Sequence, residues 1–336
     1  MNTWPRIATV TLNPAIDLTV SVPNFRAGQV NRALSSQADP GGKGVNVASW
    51  LADYGFPVAA TGFLGAENDL IFRRLFEQKG IDDCFVRIAG STRTGIKVVD
   101  PTTQSTTDIN FPGQPPSEAE LAQLTAIIEA LATDCDWLVF SGSIPAGAPP
   151  TIYRDLIRRA VGKNALLDTS GEAFRQAVAA TPTIIKPNVD EVSETLGRPL
   201  ESEAHILAAA REFIELGIQT VVVSMGRQGA LFVEAGEAVH AAPPHVVVKS
   251  TVGAGDAMVA GIVAGKSRGL SLAECARLAT AFSLDAITHV GSGMSSPEAV
   301  AAFIEQVAVR IVQPVGDSRP ADSAPATASW PPKRQT

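Results

Sequence analysis

Ser250-Thr251-Val252-Gly253-Ala254-Gly255-Asp256-Ala257 joins an apolar β-branched run, residues 245–249, to a run of small apolar residues, 257–264. The pattern predicts a strand that turns through two glycines into a helix. Glycines let backbone N–H groups approach an anion closely, and a helix N-terminus presents unpaired donors. Asp256 falls in the first turn of that helix. An anion cradle beside a carboxylate suits phosphoryl transfer: the cradle takes up developing negative charge, and the carboxylate accepts a proton from an attacking hydroxyl. A plain strand–turn–helix junction with an Asp near its cap uses the same residues. On the octapeptide alone the two readings are level.

Outward from this stretch the chain alternates strand-like and helix-like segments. Strands are expected at 7–12, 58–63, 136–141, 164–168, 183–186, 219–224 and 230–234. Helices are expected at 45–54, 67–79, 118–131, 151–161, 171–179, 202–216, 272–289 and 297–312. Such a βα rhythm predicts a doubly wound, mostly parallel α/β sheet flanked by helices with right-handed crossovers. The rhythm breaks twice. Residues 18–22, 85–88, 94–99 and 106–111 alternate polar and apolar with turn residues between them, which predicts a small antiparallel β lid drawn from about 14–32 and 85–112. One domain over 1–312 is expected. Residues 313–336, rich in proline with no apolar period, read as a disordered tail.

Bulk properties narrow the partners. The chain has 336 residues, is 45% hydrophobic and carries a net charge of -7 without a basic block, which argues against nucleic acid or an anionic membrane. Cys84, Cys135 and Cys275 lack metal spacing and read as free thiols of a reducing, cytoplasmic compartment. No signal peptide or membrane-length apolar run is seen.

Two further clusters can carry chemistry. Asp39-Pro40-Gly41-Gly42-Lys43-Gly44-Val45-Asn46 opens a helix with three glycines and a lysine, a second candidate phosphate cradle. Asn188 and Glu191 share one face of a helix's first turn. They can hold Mg²⁺ through its waters, but a capping box predicts the same residues and is the better reading of the pair alone. One match is a decoy. Residues 260–267 (Ala-Gly-Ile-Val-Ala-Gly-Lys-Ser) fit a loose nucleotide P-loop, which needs a strand before it and a helix after it. Here they lie inside an apolar helix, where small residues suit close packing and Lys266 suits the C-terminal dipole. The four histidines avoid the glycine turns, which disfavours a Ser/His/Asp hydrolase. No Gly-x-Gly-x-x-Gly follows the first strand, which disfavours a nicotinamide enzyme.

Taken together, Thr251 to Asp256, Gly41 to Asn46, Thr11-Leu12-Asn13-Pro14-Ala15-Ile16-Asp17, Ser141-Gly142-Ser143-Ile144-Pro145, Lys186-Pro187-Asn188 with Glu191, and Ser224-Met225-Gly226 with Gly229 resemble the ribokinase-like sugar kinases, in particular their phosphofructokinase B branch. The resemblance spans about residues 6–312. Gly42-Lys43-Gly44 and Thr92-Arg93 with Lys97 and residues 107–111 are similar to the members that phosphorylate fructose 1-phosphate. Fructose 6-phosphate and tagatose 6-phosphate kinases share most of the rest. Gln29 stands where some fructose 6-phosphate kinases carry a lysine.

The resemblance implies ATP and Mg²⁺ as cofactors and fructose 1-phosphate or a related sugar phosphate as substrate. It implies Asp256 as the base and the N–H groups of Gly253, Ala254, Gly255 and Asp256 as the anion hole. Asp17, Gly42 and Asn46 would bind sugar hydroxyls. Lys43, Arg93 and Ser143 would hold the substrate's own phosphate. Lys186, Asn188, Ser224, Gly226, Gly229 and Thr251 would line the ATP site, and Glu191 would reach Mg²⁺ through water. The lid would also form a homodimer contact. A sugar-phosphate or nucleotide sensor without chemistry is the reading from a different class.

Overall fold

The computed structural model describes residues 4–289, 291 and 293–312. The expected tail at 313–336 lies outside the described residues. In chain order the elements are β1 (Ile7–Thr11), β2 (Ala15–Ser21), β3 (Ser35–Gly41), α1 (Lys43–Asp53), β4 (Val58–Gly65), α2 (Leu70–Lys79), β5 (Asp82–Asp83), β6 (Val86–Ile88), β7 (Thr94–Asp100), β8 (Ser105–Asn110), α3 (Glu118–Asp134), β9 (Trp137–Ser141) and α4 (Ile152–Arg159). There follow β10 (Asn164–Asp168), α5 (Gly171–Val178), β11 (Ile184–Ile185), α6 (Val189–Leu196), α7 (Glu203–Glu215), β12 (Thr220–Ser224), β13 (Ala230–Val233), β14 (Ala238–Ala242), α8 (Ala254–Ser267), α9 (Leu272–Thr288), α10 (Pro297–Gln306) and β15 (Ala308–Ile311).

The main sheet runs β15-β14-β13-β12-β11-β10-β9-β1-β4-β5, with β6 also on β4. From β12 through β4 the pairing is parallel, and β13, β14 and β15 add an antiparallel edge. Alternate residues of each central strand enter opposite cores, as the period of two dictates. Ile7, Val139, Leu166 and Val222 face the side that holds Trp50, Phe72, Met258 and Phe282. Ala8, Phe140, Leu167 and Val221 face the side that holds Leu124, Tyr153, Phe174 and Phe213. Truncating a fully buried ring such as Phe282 would cost about 3–5 kcal/mol.

The second sheet runs β3-β2-β7-β8. Three expectations for it change. The strand expected at 85–88 belongs to the main sheet, where β6 pairs with β4 in parallel. The pairing is not wholly antiparallel, because β2 and β7 run parallel. The remaining strand is β3, whose polar Ser-Ser-Gln-Ala-Asp-Pro-Gly sequence has little strand propensity and is recruited by pairing with β2.

Two more corrections concern the C-terminal third. The strand expected at 245–249 does not form. Pro243 and Pro244 follow β14 directly and remove the ladder donors, and Val247 is 84% exposed. The chain instead crosses as an open loop, tied by the Lys249 N–H to the Ile287 carbonyl at 2.8 Å. The helix expected over 297–312 stops at Gln306, and β15 then pairs with β14.

The P-loop decoy is confirmed as packing. Gly261 and Gly265 lie inside α8 against α9, where added Cβ atoms would stand 2.6 Å from the Ala279 Cα and 2.9 Å from the Cys275 Sγ. Lys266 pairs with Glu234. It lines a cavity of about 870 Å³ at the N-terminal ends of β9 to β12, the edge opposite Asp256.

Candidate functional site

The C-terminal ends of the parallel strands, with the N-termini of α1 and α8, converge on one edge of the main sheet. In doubly wound folds this edge holds ligands. β1 delivers Asn13, β9 delivers Gly142 and Ser143, β10 delivers Asp168, β11 delivers Lys186 and β12 delivers Ser224.

Asp256 occupies the first turn of α8 and is buried. Its Oδ2 accepts a hydrogen bond from the Asn46 Nδ2 at 2.7 Å. Lys43 and Asn46 lie three residues apart at the start of α1, so one helix face presents both. Burial, then repulsion from Asp168, push the Asp256 carboxyl up to about 6. The Asn46 bond and the Lys43 and Lys186 ammoniums hold it from rising further. A carboxylate so tuned is mostly ionised at neutral pH yet basic enough to take a proton.

Beside it, Gly253 caps α8 in the left-handed region at φ 80°, a conformation that costs a residue with a Cβ about 1–2 kcal/mol. No side chain caps this helix, and Gly253, Ala254 and Gly255 are half-buried or exposed. The N–H groups of its first turn are thus left for an anion.

The cations divide into two groups. Lys43 and Lys186 both reach Asp168: Lys43 Nζ lies 3.2 Å from its Oδ2, and Lys186 Nζ lies 3.2 Å from its Oδ1. Asp168, Asp256 and Glu191 together outweigh burial and raise the Lys43 ammonium's pKa. The stem of Lys43 passes beside Gly142. Arg93 lies apart from this pair and is joined to Ser143 through Asn13. Its Nε donates to the Asn13 Oδ1 at 3.0 Å, and the Asn13 Nδ2 donates to the Ser143 Oγ at 3.0 Å. Burial lowers the Arg93 pKa, and Asp17 offsets part of that. Among the described residues Arg93 has no carboxylate within ion-pairing distance, so its fork is uncommitted to an anion of the protein. Asp17 lies within β2 and pairs with Lys97 at 3.0 Å.

Of the residues expected at the nucleotide, Asn188 and Ser224 lie side by side. Asn188 bridges to Ser224, whose N–H bonds the Pro187 carbonyl at 3.0 Å. Asn188 and Glu191 form the capping box: the Glu191 N–H donates to the Asn188 Oδ1 at 2.8 Å, and the Asn188 N–H to the Glu191 Oε2 at 2.9 Å. Gly226 opens the turn after β12. Gly229 closes it where an added Cβ would stand 1.9 Å from the Ala241 carbonyl oxygen. Thr251 is on the exposed loop before α8. Gly42 caps α1 at φ 112°, packed against Pro14.

Two residues of this edge escaped sequence reasoning as site residues. Asn13 was visible only as the residue before a proline. Asp168 had a usable signal, a lone charge closing the apolar run Ala165-Leu166-Leu167.

Known proteins resemble this one along nearly its whole length. The profile of the pfkB family carbohydrate kinases matches residues 9–299. A 1-phosphofructokinase of Rhodobacter capsulatus is 49% identical over 313 residues, covering 92% of this chain and 99% of that protein. A 1-phosphofructokinase of Vibrio cholerae is 39% identical over 92% of this chain and 98% of its own. Among solved structures, phosphofructokinase-2 of Escherichia coli superposes with a TM-score of 0.83 at 30% identity, covering 90% of this chain and 98% of that one. The ribokinase of Thermotoga maritima, at 24% identity and a TM-score of 0.73, shares the fold. The chain belongs to the pfkB family of carbohydrate kinases.

Proposed function

We propose that this protein transfers the γ-phosphoryl group of ATP to the C6 hydroxyl of fructose 1-phosphate, giving fructose 1,6-bisphosphate and ADP. The observation that carries the chemistry is Asp256: a buried carboxylate raised to about 6, held by Asn46, beside the uncapped first turn of α8. The name borne by the 49% identical relative supports the choice of substrate.

In this reading Asp256 accepts the proton of the sugar hydroxyl as the hydroxyl oxygen attacks phosphorus. The N–H groups of residues 253–256 take up the charge of the transferred group, in a reaction that needs mainly positioning and charge stabilisation. Asn46 orients the base, and Asp17 and Gly42 bind sugar hydroxyls. Arg93 and Ser143, joined through Asn13, would meet the phosphate already on the sugar, and Lys43 would reach the same phosphate from the start of α1; a guanidinium fork matches phosphate oxygens. Lys186, Asn188, Ser224, Gly226, Gly229 and Thr251 hold the nucleotide. Among the described residues no group of three or more His, Cys, Asp or Glu could hold a metal alone. Mg²⁺, held mainly by the phosphates, would neutralise their charge while keeping its waters, with Glu191 reaching it through one of them. Lid strands β3 and β8 carry exposed polar edges, where a second subunit would pair; size-exclusion chromatography tests this.

The test is ADP release by purified protein with ATP, Mg²⁺ and, in separate reactions, fructose 1-phosphate, fructose 6-phosphate, tagatose 6-phosphate and free fructose. Fructose 1-phosphate should give the highest kcat/KM. A preference for either 6-phosphate would move the assignment within the family. Binding without ADP release would make the protein a sensor.

A further inference from the structure

Asp168 has no role in the reading above, yet it is the hub of the site's charges. Its carboxylate closes β10, is 1% exposed, and accepts from two ammoniums, Lys43 at 3.2 and 3.3 Å and Lys186 at 3.2 Å. Burial raises its proton affinity, but Lys186 and then Lys43 outweigh burial and keep it ionised. Two cations on one carboxylate repel each other, and they stay together only while that charge lies between them. Resting on the kinase reading, we infer that Asp168 is a positioning residue: it clamps Lys43, from the start of α1, and Lys186, from the end of β11, side by side at the cleft edge where Asp256 acts.

The clamp acts on the base as well. The groups facing Asp256 are Asp168 from β10, Lys43 and Asn46 from α1, and Lys186 after β11; Glu191 of α6 acts on Lys43. The Asp168 charge opposes ionisation of Asp256, while the two lysines favour it. Neutralising Asp168 removes the repulsion and frees both lysines from their shared counter-charge. Both changes lower the proton affinity of Asp256.

The test is ¹³C NMR titration of aspartate carboxyl carbons in wild type and Asp168→Asn, with the Asp256 signal assigned by its loss in Asp256→Asn. The Asp256 midpoint should fall by about one pH unit in Asp168→Asn. KM should rise for both ATP and the sugar phosphate as kcat drops by about tenfold or more. A residue that merely supports the fold would lower the yield of folded protein and leave the midpoint in place, so an unmoved midpoint overturns the inference. Should Asp168→Asn fail to fold, Asp168→Glu keeps the charge but shifts it by one methylene. The midpoint should then stay put while kcat drops about tenfold, and wild-type kinetics would overturn the inference. The titration needs no turnover, so it decides the role of Asp168 even if wild type phosphorylates none of the sugars and the kinase reading fails.

Discussion

The Asn46 side-chain amide donates to the Asp256 carboxylate at 2.7 Å, across 210 residues of sequence. This one bond joins the glycine cluster near the N-terminus to the glycine turn near the C-terminus. It engages Oδ2, so in the proposed mechanism Oδ1 would be the oxygen that takes the substrate proton.

Replacing Asp256 by Asn should lower kcat by about 10²–10⁴-fold, the usual worth of a positioned general base. ATP affinity by calorimetry should stay within a few-fold of wild type, since the backbone cradle is intact. Turnover within tenfold of wild type would remove Asp256 as the base.

The pH profile of kcat/KM should lose activity as pH falls through about 6, where Asp256 takes up its proton. Replacing Asn46 by Ala removes a bond that favours the charged form, so this acid limb should move to higher pH. A limb that stays in place or moves down would contradict the tuning described here.

The same group links pH to stability. Asp256 has a folded pKa of about 6, above the 3.8 of an ordinary aspartate. The native state therefore binds more protons between those values, and stability is lost as pH rises through about 6. Asp256→Asn is free of this penalty, and at pH 8 it should be more stable than wild type by on the order of 1–3 kcal/mol. In urea titrations the difference should vanish near pH 4.

Replacing Arg93 by Ala should raise KM for the sugar phosphate by at least about tenfold, while KM for ATP changes less than about threefold. Equal effects on both would place Arg93 away from the sugar's phosphate.

Replacing Lys266 by Met should leave KM for ATP within about twofold of wild type. This lysine completes the P-loop-like string, yet it pairs with Glu234 at the far edge of the sheet. A large rise in KM would restore the P-loop reading.

The parallel centre of the main sheet, β1, β4 and β9 to β12, was legible because its strands are apolar runs buried on both faces and many of its helices carry their own boundaries. Ser117, Ser202 and Ser271 cap α3, α7 and α9 through their side-chain oxygens. What was not legible depended on neighbours. Val246-Val247-Val248 has strand composition but no partner, because two prolines precede it. Ser35 to Gly41 has no strand composition, yet β2 supplies a partner. Local propensity is a weak prior where pairing decides. The Asn188/Glu191 pair shows the opposite limit. Its capping box forms, and the same geometry leaves Glu191 near enough to Lys43 to act on its charge, so residue types alone could not separate the two roles.

The sequence by itself determined the glycine turns, the acid in the first turn of α8 and the βα order that brings them to one sheet edge, because each rests on local backbone freedom or periodicity. Only the tertiary structure decided that Asn46 reaches Asp256, that Asn13 joins Arg93 to Ser143, and that Asp168 gathers Lys43 and Lys186. Those contacts link strands and helices up to 210 residues apart. They exist because the crossovers set the ends of β1, β9, β10 and β11 side by side. The buried charges collected there shift one another's proton affinities in a way no linear spacing encodes.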